Sequence, residues 1–333
     1  MDGVRPGPYT TRTDSFQSPT AMRPDVLRRA PLHALLLMVT TAPACAPEAA
    51  PEPPSLHALR AAVEAIIQEA GAEVGVYYRP LQGSGDALAV NAELRMHAAS
   101  TMKVPVMMRL FLDEAEGLRS LDDVVEVTRT FHSIVDGSPF ELPMESDSDT
   151  AFYGRVGEEV PLRDLVDRMI TWSSNLATNI AIREAGPARV NAMLRSMGAD
   201  SMEVLRGVED LKAFEAGLSN TATARDLGIV MAQVAIGEAF SLEARAEMLA
   251  ILERQHFREN IPAGLPPATR VANKTGWITR HTHDAAVVFP EGASPYVLVV
   301  LIRGIEDRPT AAAVAADISR HVWEYHMARE GVR

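Results

Sequence analysis

A serine and a lysine three positions apart, Ser100 and Lys103, lead directly into the apolar run Val104-Pro105-Val106-Met107-Met108. On a helix, that spacing puts hydroxyl and amine on one face. The apolar run requires the same helix to be buried, so the fold must carry an amine into its interior at a helix start. Small residues, Ala98-Ala99 after His97, lead into the pair. Desolvation depresses a lysine's pKa, and a neutral amine one turn from a hydroxyl can take its proton. Ser-x-x-Lys alone arises by chance about once in a chain of this length; the apolar setting is what singles this one out.

Two further motifs follow in order. Ser173-Ser174-Asn175 lies inside the apolar, helix-forming stretch from Leu165 to Ile182, and Lys274-Thr275-Gly276 opens a strand-like segment ending Ala285-Ala286-Val287-Val288-Phe289. Ser-x-x-Lys, Ser-Asp-Asn and Lys-Thr-Gly together form the signature of class A β-lactamases and penicillin-binding proteins, and this chain resembles that family. The middle motif departs at one position, with Ser174 where the family has Asp. The likeness continues through Ile170 to Asn179, similar to the family's second-motif helix. Asn220-Thr221-Ala222-Thr223 resembles the end of its omega loop, and His283 to Val288 the strand after Lys-Thr-Gly. It covers roughly Ser55 to the C-terminus. The fold it implies is α+β, an antiparallel sheet flanked by helices with an inserted all-helical part, and it implies no cofactor.

The resemblance implies acyl transfer. Ser100 attacks a carbonyl, and either Lys103 or a water activated by a Glu serves as acylation base. The backbone N–H groups of Ser100 and Trp277 are the expected oxyanion donors. Ser173 relays a proton to the leaving nitrogen, Asn175 bonds a substrate amide, and Lys274 with Thr275, on the strand through Gly276, holds a substrate carboxylate. The substrate class is the β-lactam ring. Two alternatives stay open: a D,D-carboxypeptidase or transpeptidase acting on peptidoglycan peptides, and a β-lactam-binding sensor that acylates without turnover.

Deacylation separates them. Glu209, in Arg206-Gly207-Val208-Glu209-Asp210-Leu211-Lys212, lies 36 residues after Ser173 and is the candidate base, with Asp210 the second choice. The family's Glu-x-x-Leu-Asn is not reproduced: aligning Leu211 with its Leu puts Val208 at the Glu and Lys212 at the Asn. Asn220 stands where an Asp would pair with Arg206.

Other chemistries fit less well. His281-x-His283-Asp284 could hold a metal, but strand alternation puts Asp284 on the opposite face from the two histidines, so no metal is expected. There is no Gly-x-Ser-x-Gly elbow for a Ser-His-Asp hydrolase, and Asn273 stands where a P-loop reading of Lys274-Thr275 needs Gly.

Residues 1–21 are polar and without apolar periodicity, which suggests a disordered or untranslated segment. Residues 22–44 resemble a signal peptide, with Arg23, Arg28 and Arg29 before the apolar Ala34 to Val39 and small residues at Ala42 and Ala44. Cys45, the only cysteine, suits a lipoprotein anchor, whereas Ala42 and Ala44 suit ordinary cleavage; either route exports the protein to the periplasm or cell envelope. Residues 45–54, rich in proline, read as a tether. Residues 1–44 hold five Arg and three Asp, so 27 basic and 41 acidic residues follow them, a formal charge of −14. That balance disfavours nucleic acid and anionic membrane as partners. A monomer is expected, with membrane contact only through Cys45.

Along residues 55–333, Leu56, Leu59, Val63, Ile66 and Ile67 recur at helical spacing, and Glu73–Arg79 with Ala87–Asn91 reads as a hairpin across Gly83-Ser84-Gly85. Strands are predicted near 271–278, 283–289 and 296–302, with a closing helix over 310–327. This assigns 55–99 and 235–333 to an α/β part and 100–234 to a helical part. The segment 131–150, with Gly137, Pro139, Pro143 and five acidic residues, reads as a solvated irregular loop or as a rim of the site.

Overall fold

The computed structural model describes residues 55–83 and 87–331. The signal-like segment, the tether, Cys45 and the tip of the first hairpin turn lie outside them. Helix α1 (Leu56–Ala70) starts where Ser55 Oγ accepts from Ala58 N and stops at Gly71, whose φ of 59° a side chain would resist. Strands β1 (Glu73–Pro80), β2 (Leu88–Val90) and β3 (Met96–His97) lead to a 3-10 turn, Ala99–Met102, which runs directly into α2 (Lys103–Ala115). Four short strands follow: β4 (Val124–Glu126), β5 (Thr130–His132), β6 (Pro139–Glu141) and β7 (Glu159–Pro161). Next come α3 (Leu162–Thr171), α4 (Asn175–Ala185), α5 (Pro187–Ser196), α6 (Leu211–Glu215), β8 (Thr221–Ala222), α7 (Ala224–Ile236) and α8 (Leu242–Glu253). Strands β9 (Arg270–Ile278), β10 (His281–Phe289) and β11 (Tyr296–Arg303) and helix α9 (Arg308–Arg329) close the chain.

The sheet runs β2-β1-β11-β10-β9, antiparallel throughout, with Glu73 opposite Arg303 and Pro80 opposite Tyr296. The early and late strands of the described chain therefore pair. Along β11, successive side chains enter two different cores: Val297, Val299 and Leu301 face the helical side, while Leu298, Val300 and Ile302 face α1 and α9. A strand covered on both faces must be apolar at every position, which explains the unbroken run Tyr296 to Ile302. Each such side chain contributes about 1.5–3 kcal/mol through burial.

Helix α2 is the axis of the helical side, buried from Lys103 to Phe111, and Pro105 falls in its first turn, where a missing N–H costs little. Helix α7 packs on β1, β10 and β11 as well as on α2. One expectation needs correcting. The segment 131–150 is exposed over most of its length but not irregular throughout. Its first part is the hairpin β5–β6, with Phe131 opposite Phe140, and its last part is folded inward with Asp147 and Asp149 buried.

Candidate active site

Ser100 sits in the 3-10 turn, and as a first-turn residue its N–H has no acceptor within the helix. Its approach is held tightly: His97 Nδ1 accepts from Ala99 N at 3.0 Å, Thr101 Oγ1 donates to Ala98 O at 2.6 Å, and Ala98 N donates to Asn220 O at 2.8 Å. Strand β9, at the sheet edge, presses against this turn. A Cβ on Gly276 would lie 2.9 Å from Ser100 N and 3.0 Å from Thr101 N, both backbone atoms, so only glycine leaves that gap.

The turn Thr279-Arg280 makes Ile278 and His281 the closing pair of the β9–β10 ladder. Alternation then turns the backbone N–H and C=O of Thr275 and Trp277 away from β10, toward the free edge. Lys274 Nζ donates to the Thr275 carbonyl at 2.9 Å. The Trp277 N–H faces the side where Ser100 stands, so two backbone donors are available to one incoming oxygen.

Lys103 is fully buried. Its Nζ donates to Ser173 O at 2.6 Å, Ser173 Oγ at 3.1 Å and Asn175 Oδ1 at 3.1 Å. Burial pulls its pKa down to about 7, against a partial upward pull from the Asp147 carboxylate. Lys274, equally buried, reaches the same Ser173 Oγ from the opposite side at 3.1 Å. Burial and then the neighbouring Lys103 hold its pKa well below the usual lysine value, and Asp284 opposes them. Two amines whose charged forms are disfavoured by burial thus bracket one hydroxyl, while Thr275 Oγ1 is buried without a partner among the described residues.

Ser173 occupies a break between α3 and α4, not the interior of one helix as the sequence suggested. Its φ is 58°, and it is Ser174 that caps α4, accepting from Ala177 N at 3.3 Å. Among the described residues five non-glycine positions have positive φ, and three of them, Ala99, Ser173 and Glu209, line a single cleft of about 610 Å³ together with Ser100, Asn175 and Trp277. Backbone strain concentrated in this way marks a functional surface.

On the opposite wall, Asn179, one turn after Asn175, clamps Val208: its Oδ1 accepts from Val208 N at 2.6 Å and its Nδ2 donates to Val208 O at 2.9 Å. Glu209 follows, half-buried and facing the cleft with no hydrogen bond to its carboxylate among the described residues. Asp210 does not compete with it. Buried, it caps α6, accepting from Ala213 N at 3.2 Å and from Ile134 N at 2.9 Å. Asn220 replaces the expected ion pair by tying the backbone of Arg206, accepting from its N–H at 3.1 Å and donating to its carbonyl at 3.0 Å. Lys212 leaves the cleft altogether and bonds Asp136 and Ser138.

The histidine group by the cleft is structural. His283 accepts from Ile302 N at Nδ1 and bonds His97 O at Nε2, so both ring nitrogens are used. Burial lowers its pKa to about 3. Asp284 accepts from Ile261 N and Asn273 Nδ2, and burial raises its pKa to about 7. Sequence reasoning gave no role to Asn179, although its i+4 spacing from Asn175 on one helix was a usable signal. It also gave none to Asp147.

Such an arrangement, with a hydroxyl before free backbone donors and buried amines around a second hydroxyl, has the parts needed to transfer an acyl group. A sequence model of the β-lactamase enzyme family matches residues 58–326, and the chain belongs to that family. It is 28% identical over 243 residues to a β-lactamase of Amycolatopsis lactamdurans, covering 72% of this chain and 76% of that protein. An ancestral class A β-lactamase superposes with a TM-score of 0.69 at 25% identity, over 80% of this chain and 99% of the other. The structure of PBP-A gives 0.67 at 25% identity, over 82% and 97%. The fold is the one the resemblance implied.

Proposed function

We propose that the protein is a serine β-lactamase of the class A type, opening the ring amide through an acyl-Ser100 intermediate. The observation that carries this reading is the convergence of Lys103 Nζ and Lys274 Nζ on Ser173 Oγ, each at 3.1 Å. Neutral Lys103 takes the Ser100 proton as Oγ attacks the ring carbonyl, whose oxygen becomes an anion held by the N–H groups of Ser100 and Trp277. As the C–N bond breaks, Ser173 passes its proton to the ring nitrogen and regains one from Lys103. A substrate carboxylate beside Lys274 and the unpartnered Thr275 Oγ1 favours the charged form of that lysine. Glu209 then takes a proton from the water that attacks the ester; as the ester C–O bond to Ser100 breaks, that proton returns to the Ser100 oxygen and the opened product leaves as the acid.

A second reading rests on the other wall. Asn179 anchors Val208, an apolar residue, at the place where the alignment on Leu211 puts the family's glutamate. With water poorly activated there, the same acylating site would serve as a peptidase or sensor. Stopped-flow turnover of a chromogenic cephalosporin separates the two: repeated turnover supports the first, and a single stoichiometric burst the second. As a β-lactamase the chain is proposed to act as an exported monomer, which cell fractionation and sedimentation check.

A further inference from the structure

The second motif lacks its carboxylate: Ser174 stands where the family has Asp. A carboxylate nevertheless lies against this turn, and it comes from 27 residues upstream. Asp147 is buried, and its Oδ2 accepts from Leu176 N at 2.8 Å and lies 3.4 Å from Ser174 Oγ. Its Oδ1 accepts from Asp149 N at 3.0 Å. Between them, Asp147 and Ser174 satisfy the first-turn N–H groups of Leu176 and Ala177 that α4 cannot satisfy itself. A negative charge there also opposes the positive end of the α4 dipole. The neighbouring Ser146 carbonyl accepts from Asn175 Nδ2 at 2.9 Å, so the same segment holds the third residue of the motif. Asp149 locks the segment in place through Arg168, at 2.8 Å.

We propose that Asp147 is a positioning residue that supplies the carboxylate missing from the second motif, fixing the Ser173-Ser174-Asn175 turn and setting the charge that faces Lys103. This rests on the proposed acylation chemistry. The other charged groups around Lys103 are Lys274 on β9, backed by Asp284 on β10. Tyr153 and Glu145 lie on the Asp147 side, with Tyr153 bonding Asp147, and Glu209 faces the cleft opposite. Among the described residues, the Asp147 carboxylate favours the protonated form of Lys103 directly. A lysine that must be neutral to act works above its pKa, so Asp147 sets the acid limb of acylation at a higher pH than burial alone would.

The test follows the Lys103 ammonium by 15N-lysine NMR, together with the rate of labelling by a fluorescent penicillin from pH 5 to 9. Asp147→Asn keeps the shape and a hydrogen-bond acceptor but removes the charge; the Lys103 midpoint and the acid limb are expected to fall together by about one pH unit. Asp147→Ala, which also frees the turn, is expected to label about tenfold or more slowly at pH 8. Adding Ser174→Asp to Asp147→Ala returns the carboxylate from within the motif and should restore most of that rate, which a merely structural loss would not permit. An unchanged midpoint in Asp147→Asn together with wild-type labelling in Asp147→Ala overturns the inference. Should the Ala variant not fold, the Asn midpoint decides alone. Should the wild type not label at all, the acylation chemistry fails, while the substrate-free Lys103 titration still judges Asp147.

Discussion

The two walls of the cleft are built differently. On one, Ser100, Lys103, Ser173 and Lys274 stand on the 3-10 turn, α2, the α3–α4 break and β9, with both lysines and Ser173 fully or almost fully buried. Both amines there are aimed by hydrogen bonds at Ser173, and the side chains match the family's motifs nearly residue for residue. On the other wall, the segment 206–220, which includes α6, carries Val208 and Glu209, and Asn179 and Asn220 hold it by bonds to its backbone. A rigid wall of buried amines and hydroxyls faces a divergent loop wall. In the proposed mechanism, acyl transfer is therefore the constrained part of the chemistry, and the lifetime of the acyl-enzyme the adjustable part.

The largest expected effect is on the rigid wall. Ser100→Ala is predicted to abolish labelling by a fluorescent penicillin, a loss of at least about 10³-fold, with an unchanged circular dichroism spectrum. Labelling at the wild-type rate would remove Ser100 as nucleophile. Lys103→Ala should slow acylation about 10²- to 10⁴-fold for want of a base, measured by stopped flow. In the wild type the acylation rate should rise with pH through about 7, because Lys103 accepts a proton only when neutral and its pKa lies there. A rate flat from pH 5 to 9 would assign the base elsewhere.

Smaller effects sharpen the contrast. Gly276→Ala places a Cβ against backbone that cannot yield, so β9 must withdraw from the oxyanion donors; a fall of about 10²-fold in kcat/KM is expected, roughly 2.7 kcal/mol. On the loop wall, Asp210→Ala removes a cap, costing about 1 kcal/mol of stability by thermal melting while leaving the acyl-enzyme lifetime alone.

Much of the rigid wall was legible in the sequence because its information is local. Ser100 and Lys103 share a helix face, and the apolar run Ala285 to Phe289 marks a strand buried on both faces. The break at Ser173 was not legible, since Leu165 to Ile182 contains no glycine or proline and the positive φ of Ser173 is imposed by tertiary packing. Residues 131–150 misled for a related reason: acidic residues usually mark solvent, but Asp147 and Asp149 are buried against α4 and Arg168, partners distant in sequence. The substitution at Ser174 was the one clue that a carboxylate had to arrive from elsewhere.

Intact-mass spectrometry of the acyl-enzyme, for the wild type and for Glu209→Gln, bears most directly on how the two walls divide the reaction. If Glu209 activates water, the wild-type penicilloyl adduct appears and clears, whereas Glu209→Gln forms it at the same rate and holds it, because a carboxamide cannot accept the water's proton. Normal turnover in Glu209→Gln, or a wild-type adduct that persists for many minutes regardless of residue 209, would contradict the assignment of a working hydrolytic base to this loop.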